Sequence, residues 1–256
     1  TEIYTLSLHD ALPISWLFRF GPMLGLSAVL AAMVMVPMFG FPALISFPGD
    51  ILVFIYLLAL VRFFTVIAAM DTGSSFEGMG ASREVIFSML TEPILFLAVA
   101  TLVKHSGSLC LGEVFNPSLS GHIYGPSLAL ATVSLFVVVL VENYRVPIDD
   151  PTTHLELTMI HEVMVLDNSG PDFAFVLYAS CLKLWMMTGL LAQLVVPAFP
   201  DGPIWTRPAV VFGTMVATAV VIGIVESTMA RLRLVKIPQL LMGVSILALV
   251  GFILGR

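Results

Sequence analysis

Charge is what this sequence has least of. Its 256 residues include 11 Lys and Arg and 17 Asp and Glu, together 11%, against 59% apolar residues and a mean hydropathy of +1.03. A soluble domain needs a largely polar exterior, so this balance excludes one and indicates a chain solvated mainly by lipid. Basic residues are the scarcer sign, with a formal net charge of −6 and no basic patch, which excludes nucleic acid as a partner. Cysteine is scarcer still. Cys110 and Cys181 are the two present, far apart and in no CxxC or metal-ligand spacing, so the chain by itself holds no iron–sulfur cluster and no structural metal. Any electron carrier must then sit on a partner. A phosphate loop is missing too, as is the HExxH pattern of zinc proteases.

Long apolar runs fill the space that charge leaves. Seven read as membrane spans, near 17–39, 51–70, 85–103, 126–142, 173–196, 209–230 and 237–254, each close to the ~20 residues a bilayer requires. The expected fold is all-α, a polytopic transmembrane helix bundle forming a single membrane domain over 16–256, with a polar segment at 143–172. The start, Thr1 to Ser15, fits this pattern badly and lacks the basic n-region and apolar core of a signal peptide. It resembles the translated read-through of a sequencing adapter. It is expected to be a non-native tail standing where a first helix belongs, the plainer alternative being an irregular surface tail, and His9 and Asp10 are left out of the site.

Orientation follows from the cations in the loops. Arg19, Arg83, Arg145, Arg231, Arg233 and Lys236 fall on one side, Lys104, Arg207 and Arg256 on the other. The richer side is cytoplasmic, which places loops 71–84, 143–172 and 231–236 there. The opposite loop, 105–125, reads as a plain external connection. In the loop 71–84, glycines at 73, 78 and 80 suit a tight connection at an interface, with Ser82 capping the next helix.

Several charges lie inside the spans, where each costs about 3 kcal/mol or more and calls for a partner. Arg62 sits near the middle of the second span, which ends at Asp71; Glu92, followed by Pro93, lies ~12 Å beyond Glu84 along the third. Lys183 is buried in the fifth span and Glu226 closes the sixth. For Arg62, static pairing that locks helix packing competes with membership of a polar file across the membrane. For Glu92, a protonated acid bonded to the carbonyl freed by Pro93 competes with proton exchange. For Lys183, a static pair competes with loss of its proton. Glu226 also fits as tethered to the topology-setting basic cluster of Arg231, Arg233 and Lys236.

The 30 residues from Glu142 to Pro171 form a polar island between spans. Glu142 and Arg145 are spaced to pair as i,i+3. Asp150 before Pro151 is a helix start and Ser169-Gly170-Pro171 a stop, predicting a helix over 151–168. On it His154, Thr158 and His161 share a face flanked by Glu162, with Glu156 roughly opposite. The histidines are spaced too widely for the zinc-protease arrangement, and either partner docking or proton relay suits them. Glu156 also fits as the last member of a capping box with Thr153.

These residues carry a resemblance. Glu142-x-x-Arg145-x-Pro147-x-Asp149-x-Pro151, continued by His154-Leu-Glu156-Leu-Thr-Met-Ile-His161-Glu162, resembles the signature of the membrane subunit of group 4 NiFe-hydrogenases of the formate hydrogenlyase type. That subunit is similar to NADH dehydrogenase subunit 1 of respiratory complex I. Gly78-x-Gly80-x-x-Arg83 with Glu92, and Glu226 with Arg231 and Arg233, also match. The resemblance covers essentially 16–256. The quinone-reactive branch reads ExxRxPFDLPExExELV, and Thr152 and His154 replace two of those acids here, which favours the hydrogenase branch.

The resemblance implies an eight-helix anchor in a prokaryotic inner membrane that clamps a soluble electron-transfer arm. Implied partners are the NiFe-hydrogenase large and small subunits, iron–sulfur subunits and antiporter-like membrane subunits. The NiFe centre and the clusters belong on those partners. Glu92, Glu142, Glu156 and Glu226 would line an acidic path, joined by Lys183, Arg62 and Asp71. Arg83, Arg145, Asp149, Asp150, His154, His161 and Glu162 would serve docking. The competing function classes are the quinone-site membrane subunit of an NADH-quinone oxidoreductase and an autonomous transporter. The transporter is disfavoured because no internal repeat is visible.

Overall fold

The computed structural model describes residues 15–39, 41–115, 125–149, 159–196, 205–229, 232 and 234–255. Nine helices occur among them: α1 Trp16–Met35, α2 Asp50–Asp71, α3 Ser75–Ser106, α4 Leu111–Val114, α5 Pro126–Glu142, α6 His161–Met164, α7 Pro171–Val195, α8 Thr206–Thr228 and α9 Ile237–Leu254. Six are long and apolar enough to cross a membrane, and the 17-residue α5 is a shorter apolar helix. Asp150, His154 and Glu156 lie outside the described residues, as do Arg231 and Arg233.

Local chemistry sets most helix ends. The Ser15 hydroxyl accepts from Leu17 N–H and opens α1, while Pro126, Pro171 and Pro238 begin α5, α7 and α9 where an N–H would have no partner. Gly107, at φ +70°, ends α3 with its N–H on the Val103 carbonyl, and Lys104 and His105 in that last turn oppose the helix dipole. Pro22 and Pro93 sit inside α1 and α3 without ending either.

The bundle has α1 against α2 and α7, and α3 and α5 both against α9 and each other. Ile94, Ala98, Leu102, Ala131, Val138, Met186, Ile237 and Leu241 make its dry centre. Helix α8 packs chiefly on α7 and leaves Phe212, Val216, Val220 and Ile224 outward, alongside Tyr56, Phe63, Met89 and Ile253 on other helices. An apolar exterior of this extent is stable against hydrocarbon and not against water.

Three sequence expectations give way. The third span does not begin at an Ser82 cap. Helix α3 starts at Ser75 and runs 32 residues, about 48 Å, so its first turns project well past a ~30 Å hydrocarbon layer. Glycine weakens a helix, but Gly80 is required by packing. A Cβ there would meet the Ile160 carbonyl and the Met164 Cγ, each at 3.0 Å. The connection 105–125 is not plain either. Its described part holds α4, whose Leu111 and Val114 are fully buried, and Leu111 N–H donates to the buried Asp50 carboxylate at 2.6 Å. The helix expected over 151–168 is, among the described residues, only the single turn His161–Met164. Its first N–H groups, of Ile160 and His161, donate to Asp149 at 3.0 and 3.2 Å, a cap reached from eleven residues upstream.

Candidate functional site

Side chains from α2, α3, α5 and α7 meet around one carboxylate. Glu142 closes α5 with its side chain fully buried. One oxygen accepts from Arg62 Nη1 at 2.6 Å and the other lies 2.7 Å from Lys183 Nζ. The second guanidinium nitrogen of Arg62 donates to Glu92 Oε1 at 2.9 Å. Four spans, carrying Arg62, Glu92, Glu142 and Lys183, are thus tied by three charge-assisted contacts. Arg62 and Lys183 expose 7% and 6% of their side chains, Glu92 42%.

A second layer lies over this cluster. The chain leaves α5 through Tyr144, whose φ of +52° is left-handed and costly for an aromatic residue. That turn sends the phenol inward, where it donates to the buried Glu84 at 3.1 Å. His161 stacks on the phenol ring at 4.3 Å between centroids and 12° between planes. Burial, with Lys183 nearby, pushes the His161 imidazole down to about 4, so it is neutral at pH 7. Burial and the adjacent Glu84 and Glu142 carboxylates raise the Tyr144 phenol well above its ordinary value.

The same turn breaks the expected i,i+3 pair. Glu142 points into the bundle, and Arg145, no longer on the helix, reaches Glu226 of α8 at 3.4 Å instead. Glu226 had been read as tethered near Arg231, and its described ion pair is with the segment after α5. Arg83 donates to the Met159 carbonyl at 3.0 Å and so supports α6 from α3. Asp149 caps α6 as described, and Glu162 follows His161 on that turn. Asp71 does not join the cluster. It is exposed at the end of α2, where the Ser15 hydroxyl and N–H donate to it. Between residues 143–149 and 161–168 and α7 runs a cleft of about 580 Å³ bordered by Tyr144, Arg145, Asp149, His161, Glu162 and Ser180. No group of three or more His, Cys, Asp or Glu able to hold a metal occurs among the described residues.

Sequence reasoning missed Glu84, Glu77 and Tyr144. Glu77 is fully buried and accepts from Asp167 N–H at 3.2 Å, pinning the end of the polar island to α3. The signal was available. Glu77, Glu84 and Thr91 recur every seven residues, one face of a helix, and all three are buried. Reading 71–84 as a tight glycine-containing connection, with the next helix capped at Ser82, hid it. Nothing in the sequence announces the left-handed Tyr144.

The family model described as NADH dehydrogenase matches residues 10–255. The chain belongs to this family. Members similar to it include hydrogenase-4 component C of Escherichia coli strain K12, 31% identical over 181 residues, which are 71% of this chain and 56% of that one. Formate hydrogenlyase subunit 4 of the same organism is 29% identical over 236 residues, 88% of this chain and 74% of that one. The chain therefore spans little more than half the length of hydrogenase-4 component C. A solved structure of an archaeal respiratory membrane complex, the membrane-bound sulfane sulfur reductase, contains a chain with the same fold. The TM-score is 0.78 at 18% identity, over 96% of this chain and 82% of that one. The all-helical multi-pass architecture expected from the apolar runs, and the kinship with hydrogenase-related membrane subunits expected from the motif at 142–162, agree with these findings.

Proposed function

We propose that this NADH dehydrogenase family member is the membrane subunit that seats the soluble arm of a membrane-bound NiFe-hydrogenase complex of the formate hydrogenlyase type. In this reading it passes redox-driven changes in that arm to an ion file in the membrane, and protons or sodium ions then move through antiporter-like neighbours. The observation that carries the proposal is the stacking of two layers. Polar residues of 143–149 and 159–168 lie over a network of buried Arg62, Glu142 and Lys183 joined by the half-exposed Glu92. A docking platform needs the first layer alone. Buried charges are expensive in a membrane and are retained where they serve a pathway or a lock.

Arg83, Arg145, Asp149, Asp150, His154, His161 and Glu162 are the docking set in this reading, and the NiFe centre and iron–sulfur clusters reside on the docked subunits. Glu92 and Glu226 extend the acidic path from Glu142 toward α3 and α8 in this reading, and Glu156 belongs to the same path.

Purification of the native complex through this chain tests the seat. A nickel-containing partner that evolves hydrogen is the expected result. A flavin-containing partner that oxidises NADH would replace it with the quinone-site reading, for which the cleft of about 580 Å³ beside Tyr144 would be the site. The Glu92→Gln variant tests the coupling. Ion movement per hydrogen evolved should fall, and an unchanged ratio in an intact complex removes Glu92 from the path.

A further inference from the structure

The ion inventory around Glu142 does not close. Arg62 on α2 and Lys183 on α7 are the two cations in it, and Glu84 and Glu92 on α3 and Glu142 on α5 are three carboxyl groups. Glu142 contacts both cations at 2.6 and 2.7 Å, and Glu92 contacts Arg62 at 2.9 Å. Glu84, 6% exposed, has no cation within 4 Å among the described residues; its hydrogen bond comes from the Tyr144 hydroxyl. The groups that face it from neighbouring elements are Arg62, Glu142, Lys183 and Tyr144, with neutral His161 stacked behind the phenol. A carboxylate in that position is desolvated with no cation in direct contact, and the cheapest remedy is a proton.

Tyr144 stands where that proton would enter. It borders the open cleft of about 580 Å³ and also a smaller space of about 40 Å³ beside Glu142, Ser180 and Lys183, room enough for water. It lines both spaces, held by the His161 stack and by a backbone conformation that an aromatic residue seldom adopts.

We propose that Glu84 is the exchangeable-proton site of the buried cluster, loaded from the cytoplasmic cleft through the hydroxyl of Tyr144. In loading, the Tyr144 oxygen takes a proton from a hydronium ion in the cleft, leaving water there, as its own proton passes to a Glu84 oxygen. The phenol ends as it began, and the carboxylate becomes a carboxyl. Unloading reverses the transfer or passes the proton toward Glu142 and Glu92. Glu84 is thus the loading position, and Tyr144 is its donor and gate.

The proposal deepens the coupling reading above and depends on it only for what the proton is used for. Infrared difference spectroscopy of the purified complex at pH 7 tests it directly. A protonated-carboxyl stretch should be present, disappear in Glu84→Gln and persist in Glu92→Gln. Glu84→Asp keeps the carboxyl and should shift the band, which preserves the test if the Gln variant fails to assemble. Tyr144→Phe should keep the band but slow its hydrogen–deuterium exchange by roughly a hundredfold, the low end for loss of a positioned proton donor. A band that survives Glu84→Gln, is unmoved in Glu84→Asp, or exchanges at the wild-type rate in Tyr144→Phe overturns the proposal. A Glu84 band in a complex that moves no ions would refute the coupling and leave the loading site standing.

Discussion

Removing the charge of Glu142 is the sharpest perturbation the structure offers. Glu142→Gln keeps the volume and one oxygen, so the loss is electrostatic. Two cations lean on this carboxylate, Arg62 at 2.6 Å and Lys183 at 2.7 Å, and all three side chains are at least nine-tenths buried. Arg62 retains Glu92 in the variant, whereas Lys183 has no second carboxylate within 4 Å among the described residues. Taking one partner from a buried ion pair costs about 3–5 kcal/mol, because the other charge stays desolvated. Lys183→Met in the same background removes the stranded ammonium and should recover part of that. The expected coupling between the two positions is about 1–3 kcal/mol. Denaturant unfolding of the purified protein in mixed micelles measures both, with Trp185, two residues from Lys183, as a fluorescent reporter. A Glu142→Gln variant within ~0.5 kcal/mol of wild type, or a double variant whose losses simply add, would refute the claim that Glu142 is the hub of the network.

Two further predictions bear on the layer above. Gly80→Ala places a Cβ 3.0 Å from both the Ile160 carbonyl and Met164 Cγ and should cost about 1–3 kcal/mol in thermal unfolding, with easier proteolysis of the 143–168 segment. Gly78→Ala, in open space on the same helix, should be neutral or stabilising by up to ~1 kcal/mol, and equal effects at the two sites would disprove the contact. His161 has a folded-state value of about 4 against about 6.5 when unfolded. The unfolded chain therefore binds the extra proton between these values. Stability is full above pH 6.5 and is lost as pH falls toward 4, by up to about 3 kcal/mol. His161→Phe keeps a ring against Tyr144 and should abolish that slope; identical slopes in the two proteins would show that His161 is not held neutral.

Particular residues show how far a one-dimensional reading reaches. The spans were legible because ~20 apolar residues in a row have one stable arrangement in lipid, and α2, α5 and α9 lie within a residue of their expected bounds. Arg62, Glu92 and Lys183 stood out for the same reason, since charge inside such a run demands a partner. Which partner was not legible. Glu142 was assigned to Arg145 by spacing along a helix. The helix ends at Glu142, and past the left-handed Tyr144 the two side chains take different partners, Arg62 and Lys183 for Glu142 and Glu226 for Arg145.

Glu84 and Asp50 illustrate the other limit. Each sits at the margin of an apolar run, where an acid ordinarily faces water, and each is buried because a distant segment folds over it: Tyr144 over Glu84, Leu111 over Asp50. Composition and hydropathy along the chain determined the solvent, the places of the apolar helices and the class of residue that had to be paired, because transfer into hydrocarbon acts on each segment locally. The pairings themselves, and with them the site, came from tertiary structure alone, because an ion pair depends on distance in space and the helices bring together residues that no sequence spacing relates.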